Sequence, residues 1–201
     1  MIRITIGREG FRKKMKGLVK KTKRPRAMMA AVGREGANQL RKHFRQKDRD
    51  EPNRLGGERE HFWLKVMRSV QAPILSDAGT KVTISITHPV YGHKFRGGII
   101  SAKRVKNLSI PQTPEAYGRA PAVFEQETGH KLIFIRQGPV ALLARRVTLG
   151  PFLQVEYVLR PFVRQERDPT AFPDETKFEE ALLTRAAISM AATLKREGGE
   201  G

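Results

Sequence analysis

Cysteine is absent from the sequence, which excludes disulfide bonds, thiolate metal sites and a thiol nucleophile. No run of about 18 apolar residues occurs, so we expect no membrane-spanning helix and no membrane partner. The first residues, MIRITIGREGFRKKMKG, are charged and lack the apolar core of a secretory signal. The apolar content is ordinary for a folded chain of 201 residues, so we expect a hydrophobic core.

Acidic residues are scarce, since 39 Lys and Arg stand against 20 Asp and Glu, for a formal net charge of +19. Residues 1–47 hold 16 Lys and Arg against only Glu9 and Glu35, and the stretch from Gly92 to Lys106 has five and no acid. Such patches attract phosphate or an acidic protein surface, and electrostatics alone does not choose between them. A solvated face that keeps the protein in solution is the simpler alternative.

Signatures of enzymes are also missing. The five histidines form no H-E-x-x-H pattern, and no GxxxxGK[ST] loop or G-x-S-x-G elbow occurs. We therefore predict no catalytic residue, no metal and no cofactor.

The stretch from His43 to Trp63, HFRQKDRDEPNRLGGEREHFW, is the one that most resembles a site. A metal-dependent nuclease would use His43, Asp48 and His61 there. Four arginines lie among the carboxylates, however, and favour ion pairs over a divalent cation. We therefore interpret the stretch as a structural elbow between two helices, clamped by Phe44, Phe62 and Trp63.

Periodicity predicts an α+β fold, with two N-terminal helices and a C-terminal helix packed on an antiparallel β-sheet with a long basic hairpin. We expect a single α+β domain over residues 1–196. Its parts are a basic N-terminal strand and arm (1–25), helices (26–72), a β-meander (79–160) and a C-terminal helix (175–196), followed by a disordered tail (197–201).

Apolar spacing supports each of these elements. A step of four residues predicts a helix over about 26–47, through Met28, Val32, Gly36, Leu40 and Phe44. A second helix follows the Gly56-Gly57 break and ends before Pro73. Alternation predicts strands at 82–86, 98–101, 107–110, 131–136, 140–146 and 152–160, after a short one in IRITI. Asp174 is a good N-cap for the last helix.

Two basic segments are the candidate interaction sites. The residues predicted in the hairpin over 92–106 are Lys94, Arg96, Lys103, Arg104 and Lys106. Those predicted in the N-terminal arm are Arg12, Lys13, Lys14, Lys20, Lys21, Lys23 and Arg24. No zinc finger, RNP signature or convincing helix-turn-helix accompanies them, so any DNA contact would be with the backbone, without base readout.

The chain resembles the tail completion, or virion morphogenesis, proteins of Mu-like tailed bacteriophages and prophages. The resemblance rests on HFR, PN, LGG and HFW between His43 and Trp63, and on Gly97-Gly98, Leu108 and Ile110-Pro111. The segments Glu115-Ala116-Tyr117-Gly118, Asp168-Pro169 and Phe172-Pro173-Asp174-Glu175 complete it. It covers roughly residues 26–196.

The resemblance implies a non-enzymatic structural protein at or near the head–tail junction. Such a protein is expected to form a homo-oligomeric, hexameric ring, and to meet the tail tube protein on one side and the head–tail connector or neck proteins on the other. It would reside in the virion, and in the host cytoplasm during assembly, with non-specific contact to packaged DNA as a further expectation. The alternative from a different class is a basic, sequence-nonspecific DNA-binding protein.

Overall fold

The computed structural model describes residues 2–3, 9–22, 24–51, 55–56, 60–103, 105–147 and 152–198. Helices precede and follow a series of antiparallel strands, which confirms the α+β class with N-terminal helices and a C-terminal helix. The helices are α1 Glu9–Lys21, α2 Pro25–Asp50, α3 Phe62–Arg68, α4 Tyr91–Arg96, α5 Pro121–Thr128 and α6 Glu175–Gly198. The strands are β1 Ile2–Arg3, β2 Ile74–Leu75, β3 Val82–Thr83, β4 Ser85–Ile86, β5 Gly98–Ser101, β6 Leu108–Pro111, β7 Ile133–Gln137, β8 Val140–Arg146, β9 Leu153–Arg160 and β10 Phe162–Gln165.

The chain folds into two compact units. Unit 1 consists of Met1–Asp50, His61–Phe95 and Asp168–Gly201, and unit 2 consists of Glu51–Glu60 and Arg96–Arg167. The chain therefore leaves unit 1 twice and returns to it twice. Compact units can be parts of one domain, so the single domain expected over residues 1–196 stays a prediction.

Helix α2 is the centre of unit 1 and packs against α1, α3 and α6. The four-residue step predicted for it is confirmed, since its core-facing side buries Met28, Val32, Gly36, Leu40 and Phe44. Helix α6 contributes Phe178, Leu182 and Ala186 to the same core.

The predicted N-cap of α6 is confirmed, because Asp174 Oδ1 accepts the backbone N–H of Lys177 at 2.9 Å.

The glycines of α2 permit close packing. A Cβ on Gly33 would lie 2.5 Å from Val82 Cγ2, and one on Gly36 would lie 2.8 Å from Ile84 Cδ1. Alanine would be the better helix former at both positions by about 1 kcal/mol. The space taken up by Val82 and Ile84 accounts for glycine there.

Unit 1 also holds two short antiparallel ribbons, β1–β4 and β2–β3. Residue Ile2 pairs with Ile86, so the strand predicted in IRITI is present at Ile2–Arg3, and residues 4–8 lie outside the described residues.

Unit 2 contains a four-stranded antiparallel sheet in the order β6-β9-β8-β7 and a separate ribbon of β10 and β5. The two-residue turn between β7 and β8 places Gly138 at a φ of 59°, which suits a hairpin and favours glycine. A small core joins Ala116, Phe124 of α5 and Tyr157 of β9.

Several boundaries differ from the prediction. Residues 9–21 form a helix rather than an arm, because Phe11, Met15, Leu18 and Val19 share one face that packs on the unit 1 core. The second helix ends at Arg68, short of the predicted 72. The backbone after it bonds elsewhere, with Gln71 donating its N–H to Ser85 O at 2.8 Å. The last helix extends two residues further than predicted, to Gly198, and residues 199–201 lie outside the described ones.

The predicted long basic hairpin over residues 92–106 is wrong. Residues 91–96 form helix α4, and β5 pairs with β10, about 60 residues later, rather than with a neighbouring strand. The continuous meander over 79–160 is likewise limited to β7, β8 and β9, since β3, β4 and β5 pair outside that sheet. Pairing with distant strands decided both outcomes.

Candidate functional site

A cluster of aromatic and charged side chains in unit 1 occupies the region where the sequence most resembles a site. We call it the Lys47 cluster, and it consists of Phe44, Lys47, Trp63, Tyr91, Asp168 and Thr170. The rings of Phe44 and Trp63 stack at 5.8 Å with an interplanar angle of 9°, and the ring of Tyr91 meets Phe44 edge-on at 5.5 Å. Phe44 and Tyr91 are fully buried, so this aromatic packing forms part of the core.

Lys47 is the buried charge of the cluster, with only 6% of its side chain exposed. Its Nζ lies 3.1 Å from Asp168 Oδ2, donates to the hydroxyl of Thr170, and stands 4.7 Å from the centre of the Trp63 ring. A buried ammonium needs such partners because removing it from water is costly. The carboxylate, hydroxyl and ring together replace that hydration.

The carboxylate of Asp168 is held ionised. Burial alone would raise its pKa, but hydrogen bonds from Thr170 and Lys47 and the charge of Lys47 lower the pKa below its ordinary value of 3.8. Asp168 Oδ1 also accepts the backbone N–H of Thr170 at 2.9 Å, which fixes the turn before α6.

Tyr91 also stabilises the turn before α6. Its hydroxyl donates to Ala171 O at 3.0 Å. Burial, together with the charge of Asp168, raises the pKa of Tyr91 well above its ordinary value of 10. The hydroxyl is therefore a permanent donor, suited to positioning backbone and unsuited to proton transfer near neutral pH.

Asp48 and His61 are brought together, but as a helix cap. Asp48 Oδ2 lies 2.8 Å from His61 Nδ1, and Asp48 Oδ1 accepts the backbone N–H of Leu64 at 3.0 Å. His61 precedes α3 with a φ of 50° and makes no side-chain cap of its own. A carboxylate from α2 thus satisfies the first turn of α3.

The third residue of the nuclease hypothesis, His43, does not join that pair. Its Nε2 lies 3.0 Å from the carbonyl oxygen of Thr170. Within the described ranges, no group of three or more His, Asp or Glu could hold a metal ion. Asp48 and His61 therefore pair with each other, and His43 bonds to a different segment of unit 1.

Three contacts near the Lys47 cluster connect the points at which the chain leaves unit 1 with the points at which it re-enters unit 1. Lys47 binds Asp168 and Asp48 binds His61, while Asp168 donates its N–H to Lys94 O at 2.8 Å. Each pair joins a residue near a departing end to one at a returning end. These pairs therefore hold the three stretches of unit 1 together.

Unit 2 contains a second buried charge. We call its surroundings the Glu156 network, formed by Thr113, Glu115, Arg145, Glu156 and Tyr157. Glu156 on β9 is fully buried and lies 2.7 Å from Arg145 Nε, an ion pair whose geometry falls outside that of a hydrogen bond. Arg145 Nη2 reaches Glu115 Oε2 at 2.8 Å, and the hydroxyl of Thr113 donates to Glu156.

The Glu156 network orders the irregular segment between β6 and α5. Thr113 Oγ1 accepts the N–H of Ala116 at 3.2 Å, and the buried hydroxyl of Tyr157 reaches the carbonyl oxygens of Ala116 and Arg119 at 3.3 and 3.1 Å. Glu115 and Ala116 belong to the EAYG segment that carries the resemblance. The side chains of Thr113 and Tyr157 thus hold the backbone of this segment in place.

The basic residues predicted in the N-terminal arm lie mainly on helix α1. Arg12, Lys13, Lys14, Lys20 and Lys21 are exposed there, opposite the buried Met15. Arg24 is exposed just before α2, and Lys23 lies outside the described residues.

The basic residues assigned to the hairpin are dispersed. Lys94 and Arg96 belong to α4, where Lys94 Nζ lies 5.9 Å from the centre of the Phe62 ring. Lys103 and Lys106 are exposed between β5 and β6, and Arg104 lies outside the described residues.

Aromatic spacing placed Phe44, Phe62 and Trp63 together, and the Phe62 and Trp63 rings do meet at 4.9 Å. Their partners Lys47, Asp168 and Tyr91, and the pair of Arg145 and Glu156, were missed. In this sequence a lysine three residues after a core phenylalanine is a weak signal of burial, because lysines are mostly exposed.

Comparisons with models of protein families, with curated proteins and with solved structures find no match for this chain. Among the described residues no helix is both long and apolar enough to cross a membrane.

Proposed function

We propose that the chain is a structural virion protein that completes a phage tail or joins the tail to the head as a subunit of a ring. The observation that carries the proposal is the role of the residues behind the resemblance. Asp168 fixes the turn before α6, Trp63 packs against the buried Lys47, and His61 pairs with Asp48, the carboxylate that caps α3. A protein that works through its shape needs irregular segments held in this way.

Electrostatics supports assembly through charged interfaces. Unit 1 has 25 Lys and Arg against 12 Asp and Glu, and the basic side chains of α1 point away from its core face. Partners in the proposed role are further copies of the chain, six in a ring, the tail tube protein and the connector or neck proteins. Complementary charge would favour encounter and register.

Sedimentation velocity and electron microscopy of the purified protein test the proposal directly. We expect closed rings, and co-purification of the protein with phage tails. In a phage that lacks the gene, we expect heads and tails that stay unjoined or tails of irregular length. A protein that stays monomeric at all concentrations, with normal infectious particles formed in its absence, would overturn the proposal.

Reversing the charge of the loop between β5 and β6 tests its place in assembly. The variant Lys103→Glu/Arg104→Glu/Lys106→Glu should fold normally and block particle formation, measured as infectious titre. A control with the same reversal at three exposed unit 1 positions, Arg68→Glu/Lys81→Glu/Lys195→Glu, should lower the titre less. An unchanged titre for the first variant would show that this loop makes no essential contact.

Sequence-nonspecific DNA binding is the second candidate, and the exposed basic face of α1 favours it. Binding by a monomer or dimer that weakens steeply with salt, without rings, would support this candidate over the first.

A further inference from the structure

We propose that an open groove between α2 and α6 binds the phosphate backbone of double-stranded DNA. We call it the arginine groove. Its volume is about 380 Å³, its charged walls are Arg24, Arg34 and Arg185, and its floor includes Ala27, Ala31 and Ala192. All of these residues belong to unit 1.

Helical spacing builds the groove. On α2, Ala27, Ala31 and Arg34 follow one another at intervals of four and three residues and therefore share a stripe. On α6, Arg185 and Ala192 are seven residues apart and share the facing stripe in the same way. Alanine on both helices leaves space between them that larger side chains would fill.

The three arginines have no carboxylate counterion among the described residues. In the part of the chain that the structure describes, none of their guanidinium groups forms an ion pair with a carboxylate, and all three side chains are exposed. Lys47 and Arg145, by contrast, each bind a carboxylate. The positive charge of the arginine groove is therefore not neutralised by carboxylates of the described residues.

The start of α2 adds an independent observation. Its first turn has no acidic residue, and Arg24 stands at the end where the helix dipole disfavours cations, whereas Arg26, which does not line the groove, donates to Asp77 O at 3.3 Å. A sequence chosen for helix stability alone would place Asp or Glu there. Residues that lower the stability of a helix are expected at binding sites. An anion bound in the groove would offset the unfavourable interaction between the arginine and the helix dipole.

The arrangement suits a polyanion better than a single small anion. Arg24 and Arg34 are ten residues apart, which corresponds to about 15 Å along the helix axis. A strand of DNA presents one phosphate per roughly 3.4 Å of its axis, so several phosphates pass over that length. Guanidinium groups can each bind a phosphate through two parallel hydrogen bonds.

Three further side chains line the groove. The Ser189 hydroxyl is a polar group on the wall, while the Thr193 hydroxyl already donates to Ser189 O at 3.1 Å. Ile188, 53% exposed, supplies an apolar surface against which deoxyribose can pack. None of these groups is arranged to read base edges, so we infer binding without sequence preference.

Fluorescence anisotropy with a labelled 20-base-pair duplex tests the inference on the full chain. We expect Arg34→Gln/Arg185→Gln to bind roughly tenfold more weakly at about 100 mM salt, with the slope of log K against log salt reduced by about 2. The control Arg45→Gln/Arg68→Gln removes the same charge from exposed unit 1 positions away from the groove, and should weaken binding less than about twofold.

The outcomes separate this inference from ring assembly, on which it does not depend. Thermal unfolding of both variants should match the wild type, and the groove variant should still form whatever oligomer the wild type forms. Equal loss of affinity in the two variants would overturn the inference, since it would mean that charge acts diffusely. Absence of duplex binding by the wild type at about 50 mM salt, or binding of a poly-glutamate peptide in its place, would also overturn it.

Discussion

The Lys47 cluster and the Glu156 network each combine a buried charge with a tyrosine that holds an irregular segment, and the two buried charges have opposite signs. Unit 1 buries a cation, Lys47, and unit 2 buries an anion, Glu156. In each case a buried tyrosine donates its hydroxyl to backbone carbonyls of an irregular segment, residues 168–174 for Tyr91 and residues 112–120 for Tyr157. Segments without ladder hydrogen bonds are thus held by side chains.

The two regions differ in how completely the pair is buried. Asp168, the partner of Lys47, keeps 21% of its side chain exposed, whereas Glu156 has no exposure and its partner Arg145 has 17%. An uncompensated charge is more costly where water cannot reach it. We therefore expect the Glu156 network to tolerate the loss of a partner less well.

The largest effect is expected from Glu156→Gln. This change removes the buried counterion of Arg145 and leaves it only the more exposed Glu115, so the free energy of unfolding should fall by about 3 kcal/mol, as measured by urea denaturation. Glu115→Gln is the matched control, because Glu115 is 40% exposed and its pair with Arg145 is worth under about 1 kcal/mol. Equal effects would show that burial does not set the strength of this network.

Lys47→Met should have the next largest effect, a loss of about 2 kcal/mol in the free energy of unfolding. Asp168 loses its charged partner but keeps its hydrogen bonds from Thr170. In a double-mutant cycle with Asp168→Asn, the two losses should be less than additive. Additive losses would mean that the 3.1 Å pair contributes nothing to stability.

Substituting phenylalanine for either tyrosine tests the feature that the two regions share. Tyr91→Phe and Tyr157→Phe each remove one hydroxyl donor without changing the ring, and each should cost about 1 kcal/mol of unfolding free energy. Amide exchange should accelerate in residues 168–174 for the first and in 112–120 for the second. Exchange that changes in neither segment would rule out the positioning role of the hydroxyls.

The smallest effect is one of pH and is confined to acid. The folded-state pKa of Asp168 is lowered, so in acid the folded protein binds fewer protons than the unfolded chain. The resulting stability is complete above the unfolded-state value of about 3.9 and is lost as the pH falls through the folded-state pKa.

The advantage of wild type over Asp168→Asn should therefore shrink between about pH 5 and about pH 2. Asp77→Asn, at an exposed position, is the control. An advantage that is the same at both ends of this range would show that the carboxylate charge of Asp168 is not what stabilises the turn.

Local patterns were sufficient for much of this fold. The alternation of Val82, Ile84 and Ile86 predicted one strand over 82–86, which the structure divides into β3 and β4, and the four-residue step through Leu40 and Phe44 predicted α2. Helix α1 was missed although Phe11, Met15, Leu18 and Val19 carry a helical pattern, because the dense lysines and Pro25 suggested an arm. Its signal was present and could have been used.

Other features depend on partners far away in the sequence. Strand β5 pairs with β10, and Lys47 meets a carboxylate 121 residues later. The sequence next to Gly98 or Lys47 does not specify these partners, because an extended strand can pair with many other strands and a lysine can pair with many carboxylates. The candidate site was therefore predictable in its aromatic part and not in its charged part.

The division of unit 1 into three stretches of sequence has a consequence for synthesis. Helix α2 is made early, but its principal neighbour α6 and the counterion Asp168 follow only after every residue of unit 2. On the ribosome, unit 2 can complete its contacts once Arg167 has emerged, before Asp168 is available to pair with Lys47 and before α6 can pack on α2. The apolar face of α2 that α6 buries stays uncovered by α6 over that interval, so chaperones would be most needed then.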